Sequence, residues 1–520
     1  MNTDPFSRRH FLAGVGQGTL AATLGPALAA DLGLTPRAIG GDSPGALDFG
    51  DLEPLVRELQ ETPIECLQAG LVRRLRDGLP LKRLIAAAAL ANSRTFGGED
   101  YIGFHTFMAL VPALNMASLM PEKERALPVL KVLFRNTNRI IENGGRSAEV
   151  LHQVSGSVGG DKETAESLLR AVKAKDLAGA EGIFAGLTGG DVKAAFDALL
   201  VSVEENLEVH RTVLPYRAWA MIDIVGPEHA ATLLRQSLHY CLTAEQYRRP
   251  DWEAHGKVLT RLLDEHRLHN WTPGIRLADD GRVDSLGRAI FDGTPDDAAQ
   301  AVAEALAEGY PIEMIGEALA LAANEIVLRD PGRLPAWEFP GKVTGSVHGD
   351  SVGVHASDSA NARSKLSRAG SGRHAAACLI LGAWQVARDR SGRGSALLES
   401  QPSPTKRQMD GVTAKDPETL LGMLHEAIRG KMQAQSAAVV ARYGELGHPE
   451  GPVFSALLSY AVSEDGALHA EKYFQTVWDD FHSTRPAFRW RHLCGLARVT
   501  ASEFGYPAPG QAEARELLGV

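Results

Sequence analysis

Cysteine is sparse in this chain, with Cys66, Cys241, Cys378 and Cys494 standing far apart among 520 residues. No C-x-x-C occurs, which excludes a zinc ribbon or a thioredoxin-type motif and leaves any disulfide pairing open. The net charge is −10 and no basic stripe is interleaved with the aromatics, which make up 6% of the chain. Nucleic acid is therefore not an expected partner. There is no H-E-x-x-H, no G-x-S-x-G elbow and no G-x-G-x-x-G following a strand. Zincin, serine-hydrolase and Rossmann chemistry lose their anchors accordingly. The glycine-rich stretch 155–162 lacks the Lys-Ser/Thr of a phosphate-binding loop. β-Branched alternation is too short and too rare to write a strand. After residue 30 no segment is apolar for long enough to predict a membrane span.

What is present begins at the N-terminus. Arg8-Arg9 is followed by Phe11-Leu12, then by a mildly apolar run diluted by Gly14, Gly16 and Gly18, ending in Ala27-Leu28-Ala29-Ala30. Basic pair, apolar stretch and small-residue cleavage pattern are the three parts of a signal peptide. The stretch resembles a twin-arginine (Tat) signal of bacterial exported proteins. The resemblance implies the Tat translocase as a partner, and a periplasmic or otherwise exported location. It also implies transport of a folded protein, often already loaded with its cofactor. An uncleaved membrane anchor is the alternative. The expected organisation is a signal peptide over 1–30, a Gly/Pro/Asp/Ser-rich linker over 31–45, and helical units over 46–275 and 276–520.

Helix punctuation is frequent. Thr62-Pro63-Ile64-Glu65 and Thr294-Pro295-Asp296-Asp297 both read as helix starts, with a capping residue followed by proline. An alanine-rich helix follows each, through Ala86–Ala89 and through Ala318–Ala323. Asp100-Tyr101-Ile102-Gly103-Phe104-His105 and Asp350-Ser351-Val352-Gly353-Val354-His355 then share the skeleton D-x-x-G-x-H. Farther on, Trp219 follows His210, and Trp478 follows His469, at one spacing; Pro227 and Pro486 continue the pattern. The shared order predicts an all-α protein of two similar helical bundles, arisen by internal duplication and related by a pseudo-twofold axis.

Histidine is the residue type to which the duplication points. Each unit offers one His after a loop glycine (His105, His355) and one within a helix before a Trp (His210, His469). Neutral imidazole is the commonest protein metal ligand and an acid/base near neutral pH. The expectation is a centre with His105 and His355 as catalytic residues and all four as ligands of iron, copper or zinc. Asp100 and Asp350 could orient the imidazoles by accepting a ring N–H, or could simply cap the helices that carry them. His266 and His269, one turn apart, and His348 have no counterpart in the other unit. Glu149-x-x-His152 is half of a di-iron motif. Glu204, Glu205 and Glu208 are expected on a solvated face of one helix running from Asp191 to about Val213. Pro112 is expected to kink or interrupt the helix after His105.

The surroundings of His105, and the tract His355-Ala-Ser-Asp-Ser-Ala-Asn361-Ala-Arg363, resemble the questin-oxidase-like group. That resemblance implies an all-helical oxidoreductase with histidines at a buried pocket, acting with oxygen on polyketide-type aromatics. The twin-arginine signal departs from that group and puts a shared substrate in doubt. Two functions stay open: an exported oxidoreductase acting on a small organic molecule at the interface of the units, or a non-catalytic envelope protein that binds a ligand or partner.

Overall fold

The computed structural model describes residues 45–154, 164–248, 252–392 and 394–520. The signal peptide, nearly all of the expected linker and the glycine-rich loop lie outside the described residues. Among those described the chain is all-α: helices follow one another from Glu53–Glu61 to Gln511–Leu518, and the β-type pairing consists of two isolated bridges.

Four helices form the centre: α1 (Tyr101–Leu119), α2 (Val209–Val225), α3 (Val352–Ala369) and α4 (His469–Ser483). α1 packs on α2, α2 on α3, α3 on α4, and α4 on α1, which closes a ring. Sequence explains their placement. α1 is apolar almost all round, as a helix buried on every side must be, and thirteen of its residues are buried. It is the one described helix long and apolar enough to cross a membrane, yet here it is a core helix. The glycine of D-x-x-G-x-H has a packing role in both copies. A Cβ on Gly103 would lie 2.6 Å from the Phe96 ring, and one on Gly353 would lie 2.7 Å from the Val327 backbone nitrogen. Both helices can approach their neighbours only where that side chain is missing.

Two expectations need correction. Pro112 does not interrupt its helix, which runs on to Leu119; burial among neighbouring helices outweighs the hydrogen bond that proline forfeits. The helix expected from Asp191 to Val213 is two, Val192–Val203 and α2, with Pro215 inside the second. The break falls on the three clustered glutamates, each of which has found a cation or a cap elsewhere. Two apolar cores run through the described residues. One joins helices of the first unit to residues 327–514, and the other gathers Leu259–Ile326 with residues 356–397. All four cysteines are free thiols, with Cys66 exposed and the others buried.

A buried ion pair ties the first unit to α4. Lys131 Nζ lies 2.6 Å from Glu471 Oε1, with both side chains fully buried. The ammonium also donates to the carbonyls of Ala461 (2.8 Å) and Glu464 (2.6 Å). Neither Glu471 oxygen has hydrogen-bond geometry to any donor, so this carboxylate leans on one neighbouring cation. Removing one partner leaves an uncompensated buried charge, whereas removing both need not. Lys131→Met should therefore lower the unfolding free energy by about 3–5 kcal/mol. The Lys131→Met/Glu471→Met double variant should lose less than this single one, as read from urea unfolding curves.

Candidate functional site

Each central helix brings one histidine, in or near its first turn, to a common point. His105 is the fifth residue of α1, His210 the second of α2, His355 the fourth of α3 and His469 the first of α4. His105 Nε2 and His210 Nε2 are 3.1 Å apart, and His355 Nε2 and His469 Nε2 are 3.3 Å apart. The two pairs face each other, with ring centroids 5.2 Å apart for His105 and His469 and 5.9 Å for His210 and His355.

The other ring nitrogen fixes what those Nε2 atoms can be. His105 Nδ1 is 2.7 Å from the Tyr101 carbonyl oxygen, and His469 Nδ1 is 3.2 Å from that of Ala467. A carbonyl only accepts, so both rings carry hydrogen on Nδ1. His210 Nδ1 donates to Glu208 Oε1 at 2.6 Å. In their neutral forms His105 and His210 thus turn lone pairs on each other at 3.1 Å. Such a contact requires positive charge between the nitrogens, either a shared proton or a metal ion. The proton is disfavoured at His105 by burial first, then by the nearby Lys472 ammonium and by His210, which hold its pKa well below the usual range. Burial and Lys472 do the same to His469. Burial, with help from His210 and Lys472, pushes His355 down to about 3. The positive ends of four helix dipoles, all directed here, act in the same direction.

The separations suit a metal. Two imidazole nitrogens on a tetrahedral ion, each about 2.0–2.1 Å from it, lie roughly 3.3 Å apart. Both Nε2 pairs have about this span. As they stand they are two pairs, and no group of three or more His, Cys, Asp or Glu among the described residues is set to hold an ion.

Glu208 is the residue that sequence reading placed wrongly. It is no part of a solvated helix face: it caps α2, accepting from the backbone N–H groups of His210 (2.9 Å) and Arg211 (3.0 Å). It also accepts from the Tyr240 hydroxyl at 2.8 Å. His210 and these donors hold its carboxyl near 2, against a burial effect that alone would raise it. Glu204 pairs with Arg373 and His374, and Glu205 with Lys173 and Arg248. An acid two residues before the histidine, at a helix start, was the available signal.

Neither Asp100 nor Asp350 is hydrogen-bonded to a ring of the cluster; the Tyr101 carbonyl takes the orienting role at His105. Asp100 caps α1 through the Gly103 N–H at 2.7 Å and pairs with Arg139. Asp350 neither orients nor caps: Ser351 caps α3, and Asp350 lies 2.6 Å from Arg333 and 2.7 Å from Lys342. The other histidines singled out by the sequence have partners outside the four rings, although Gly349, next to His348, packs against His469. His269 is half exposed beside Asp264, His266 meets Gln300, and His348 sits 3.7 Å from Glu503. Glu149 is held by Arg94 and Arg146, which leaves no half-site for iron.

Solvent approaches from one side. His355 and Tyr101 are half-buried, the Glu208 side chain is 36% exposed and Ile102 is 41% exposed. The Tyr101 ring lies 4.3 Å from His105 and 5.8 Å from His210, and the Phe104 ring 5.1 Å from His210. Away from the opening, a polar seam runs between α3 and α4. The Thr476 hydroxyl donates to Asp358 at 2.8 Å, the Asn361 amide to Asp480 at 2.8 Å, and Lys365 pairs with Asp479 at 3.1 Å. Lys472, one turn past His469, is 3% exposed, and burial brings its pKa down to about 8.

No family model, curated protein or solved structure matches this chain.

Burial pushes Asp480 up to about 7, with Asp479 adding to the shift and the Asn361 amide opposing it. Its folded value exceeds its unfolded one, so its contribution to stability is complete below the ordinary carboxylate value near 4 and lost as pH rises through about 7. Wild-type stability should fall over that window relative to Asp480→Asn, which keeps the acceptor for Asn361. A differential on the order of 3 kcal/mol in urea unfolding from pH 4 to 7 is the expected result.

Proposed function

We propose that the four imidazoles are the ligands of a metal centre in an exported oxidoreductase. It acts on a small organic molecule where the two helical units meet. The observation that carries this reading is the pairing of Nε2 atoms whose partner nitrogens are already committed as donors. Backbone carbonyls and Glu208 fix the tautomer of three rings before any ion arrives, which is how protein metal sites are ordinarily prepared. An all-imidazole set suits iron, copper or zinc. Iron or copper bound there supplies one-electron chemistry, whereas zinc supplies none. The residues of the chain have separate tasks. Glu208 is a positioning residue that holds His210, Tyr101 and Phe104 shield the rings from bulk water, and Lys472 sets the local charge. The twin-arginine signal supports export of the folded, loaded protein.

Elemental analysis of protein exported through its own signal tests this directly. Iron or copper near one equivalent per chain, absent from a His105→Ala/His355→Ala variant that still folds, is the expected outcome. Zinc alone would leave the centre and remove the oxidoreductase. A metal-free protein would favour a binding protein with structural histidines. Glu208→Gln keeps the size of the side chain but weakens the hold on His210. It should reduce metal affinity by roughly 10- to 100-fold in a competition titration with a chelator.

A further inference from the structure

Two buried cations beside the cluster have no hydrogen-bond or ion-pair partner among the described residues, although the Arg217 guanidinium lies 4.7 Å over the Tyr216 ring. Lys472 on α4 follows His469 by one turn, and Arg217 on α2 follows His210 by two, so each lies on the side of its helix that carries the histidine. They are 3% and 2% exposed. Neither makes a hydrogen bond or an ion pair among the described residues, and the Arg217 Nε is both buried and without an acceptor. Other buried cations of this chain are matched: Arg94 with Glu53, Lys131 with Glu471, Arg211 with Glu245, and Arg235 with Glu181. Arg363 also lacks a hydrogen bond, but Glu204 and the Cys378 thiol meet its field. Asp358 lies within the field of both Lys472 and Arg217, yet its hydrogen bond comes from Thr476. A buried cation left in this state is costly unless an anion completes it.

The charge of the surroundings points the same way. Four helix N-termini meet at the cluster, and the dipole at each favours an anion. Four neutral imidazoles would leave a bound divalent ion uncompensated. Asp358, Glu471 and Glu208 all act on Lys472 against Arg217, but Glu471 is already paired with Lys131, and Glu208 is bonded to His210 and Tyr240.

We propose that Lys472 and Arg217 form the anion-binding wall of this centre, and that the molecule taken there is a small organic carboxylate with a flat apolar body. The proposal rests on the metal reading for what the ligand faces, but the wall itself is protein. An Arg fork with a second cation suits the two oxygens of a carboxylate better than a single-atom anion. The half-buried Tyr101 and the exposed Ile102 supply aromatic and aliphatic surface beside the cluster, with the buried Phe104 ring behind them. That surface fits a flat apolar body.

Benzoate is a suitable probe, measured in two ways. Calorimetric titration of metal-free protein reports on the wall alone, and the visible absorption of cobalt-loaded protein reports on benzoate at the metal. The wild type should bind benzoate in both. Lys472→Met and Arg217→Met should each weaken it roughly ten- to hundred-fold, the loss of one charge-assisted contact. Lys472→Arg should restore most of it, and acetate should bind more weakly than benzoate. Cobalt stoichiometry and the unfolding midpoint show whether each variant keeps its fold. Benzoate affinity unchanged in both folded Met variants would overturn the wall, as would no benzoate binding to the wild type. Failure to take up cobalt, with benzoate still bound and lost in the Met variants, would overturn the metal reading and leave the wall standing.

Discussion

A neutral imidazole that gives its Nδ1 hydrogen to a backbone carbonyl has no choice about its other nitrogen, which must present a lone pair. His105 and His469 are held in this way, and His210 is held likewise by Glu208. The arrangement of the centre depends on that constraint. Because the carbonyl acceptors belong to Tyr101 and Ala467, close to the histidines they hold, each ring is aimed by its own backbone. No distant side chain is needed.

The four helices pay for this convergence in different ways. α2 begins with a carboxylate cap that also serves the ring, so one side chain satisfies two backbone donors and one imidazole. α4 has no side-chain cap, and is entered through Ala467 and Leu468, both at positive φ (47° and 64°). Such backbone is uncommon for residues with a Cβ and costs energy that the surrounding structure must supply. Here it turns the Ala467 carbonyl toward His469. The Lys131–Glu471 pair, two residues into the same helix, fastens that end of α4 to the first unit. Strain at the entry and a buried ion pair just inside it work on opposite sides of His469.

Much of this was legible from the residues. The all-α architecture followed from helix starts, alanine-rich faces and the lack of strand alternation. The four histidines could be singled out because two short patterns each occur twice, and the structure brings those four together. What supports the rings could not be read in the same way. D-x-x-G-x-H suggested that the aspartate served the histidine. A helical turn instead hands His105 the carbonyl of residue 101, while Asp100 turns to Gly103 and Arg139. The glycine belongs to the packing of α1 and α3 against their neighbours. Glu208 was hidden by composition, since three glutamates within five residues look like a solvated surface. Only the position of the helix break distinguishes the one that becomes a cap. Sequence order also says little about which helices share a core: residues 327–514 pack into one cluster with residues 49–242.

The electrostatics of the centre present an apparent contradiction. Four helix N-termini and a buried ammonium make the site positive, which opposes a bound cation as much as it opposes a protonated imidazole. Glu208 offsets part of that field, and it is the one carboxylate hydrogen-bonded to a ring of the cluster. The contradiction is removed if cation and anion are held together. In the proposed centre a metal ion would satisfy the inward lone pairs, and a carboxylate would satisfy the Lys472 and Arg217 donors, which have no hydrogen-bond acceptor among the described residues. Each charge lowers the cost of the other in a medium that screens poorly. A centre built in this way would hold its metal more tightly when the anion is present than when it is absent, and the same coupling must run in reverse. The unpaired cations are then part of how the ligand is chosen, because a neutral molecule of the same shape would leave both of them buried and unmatched.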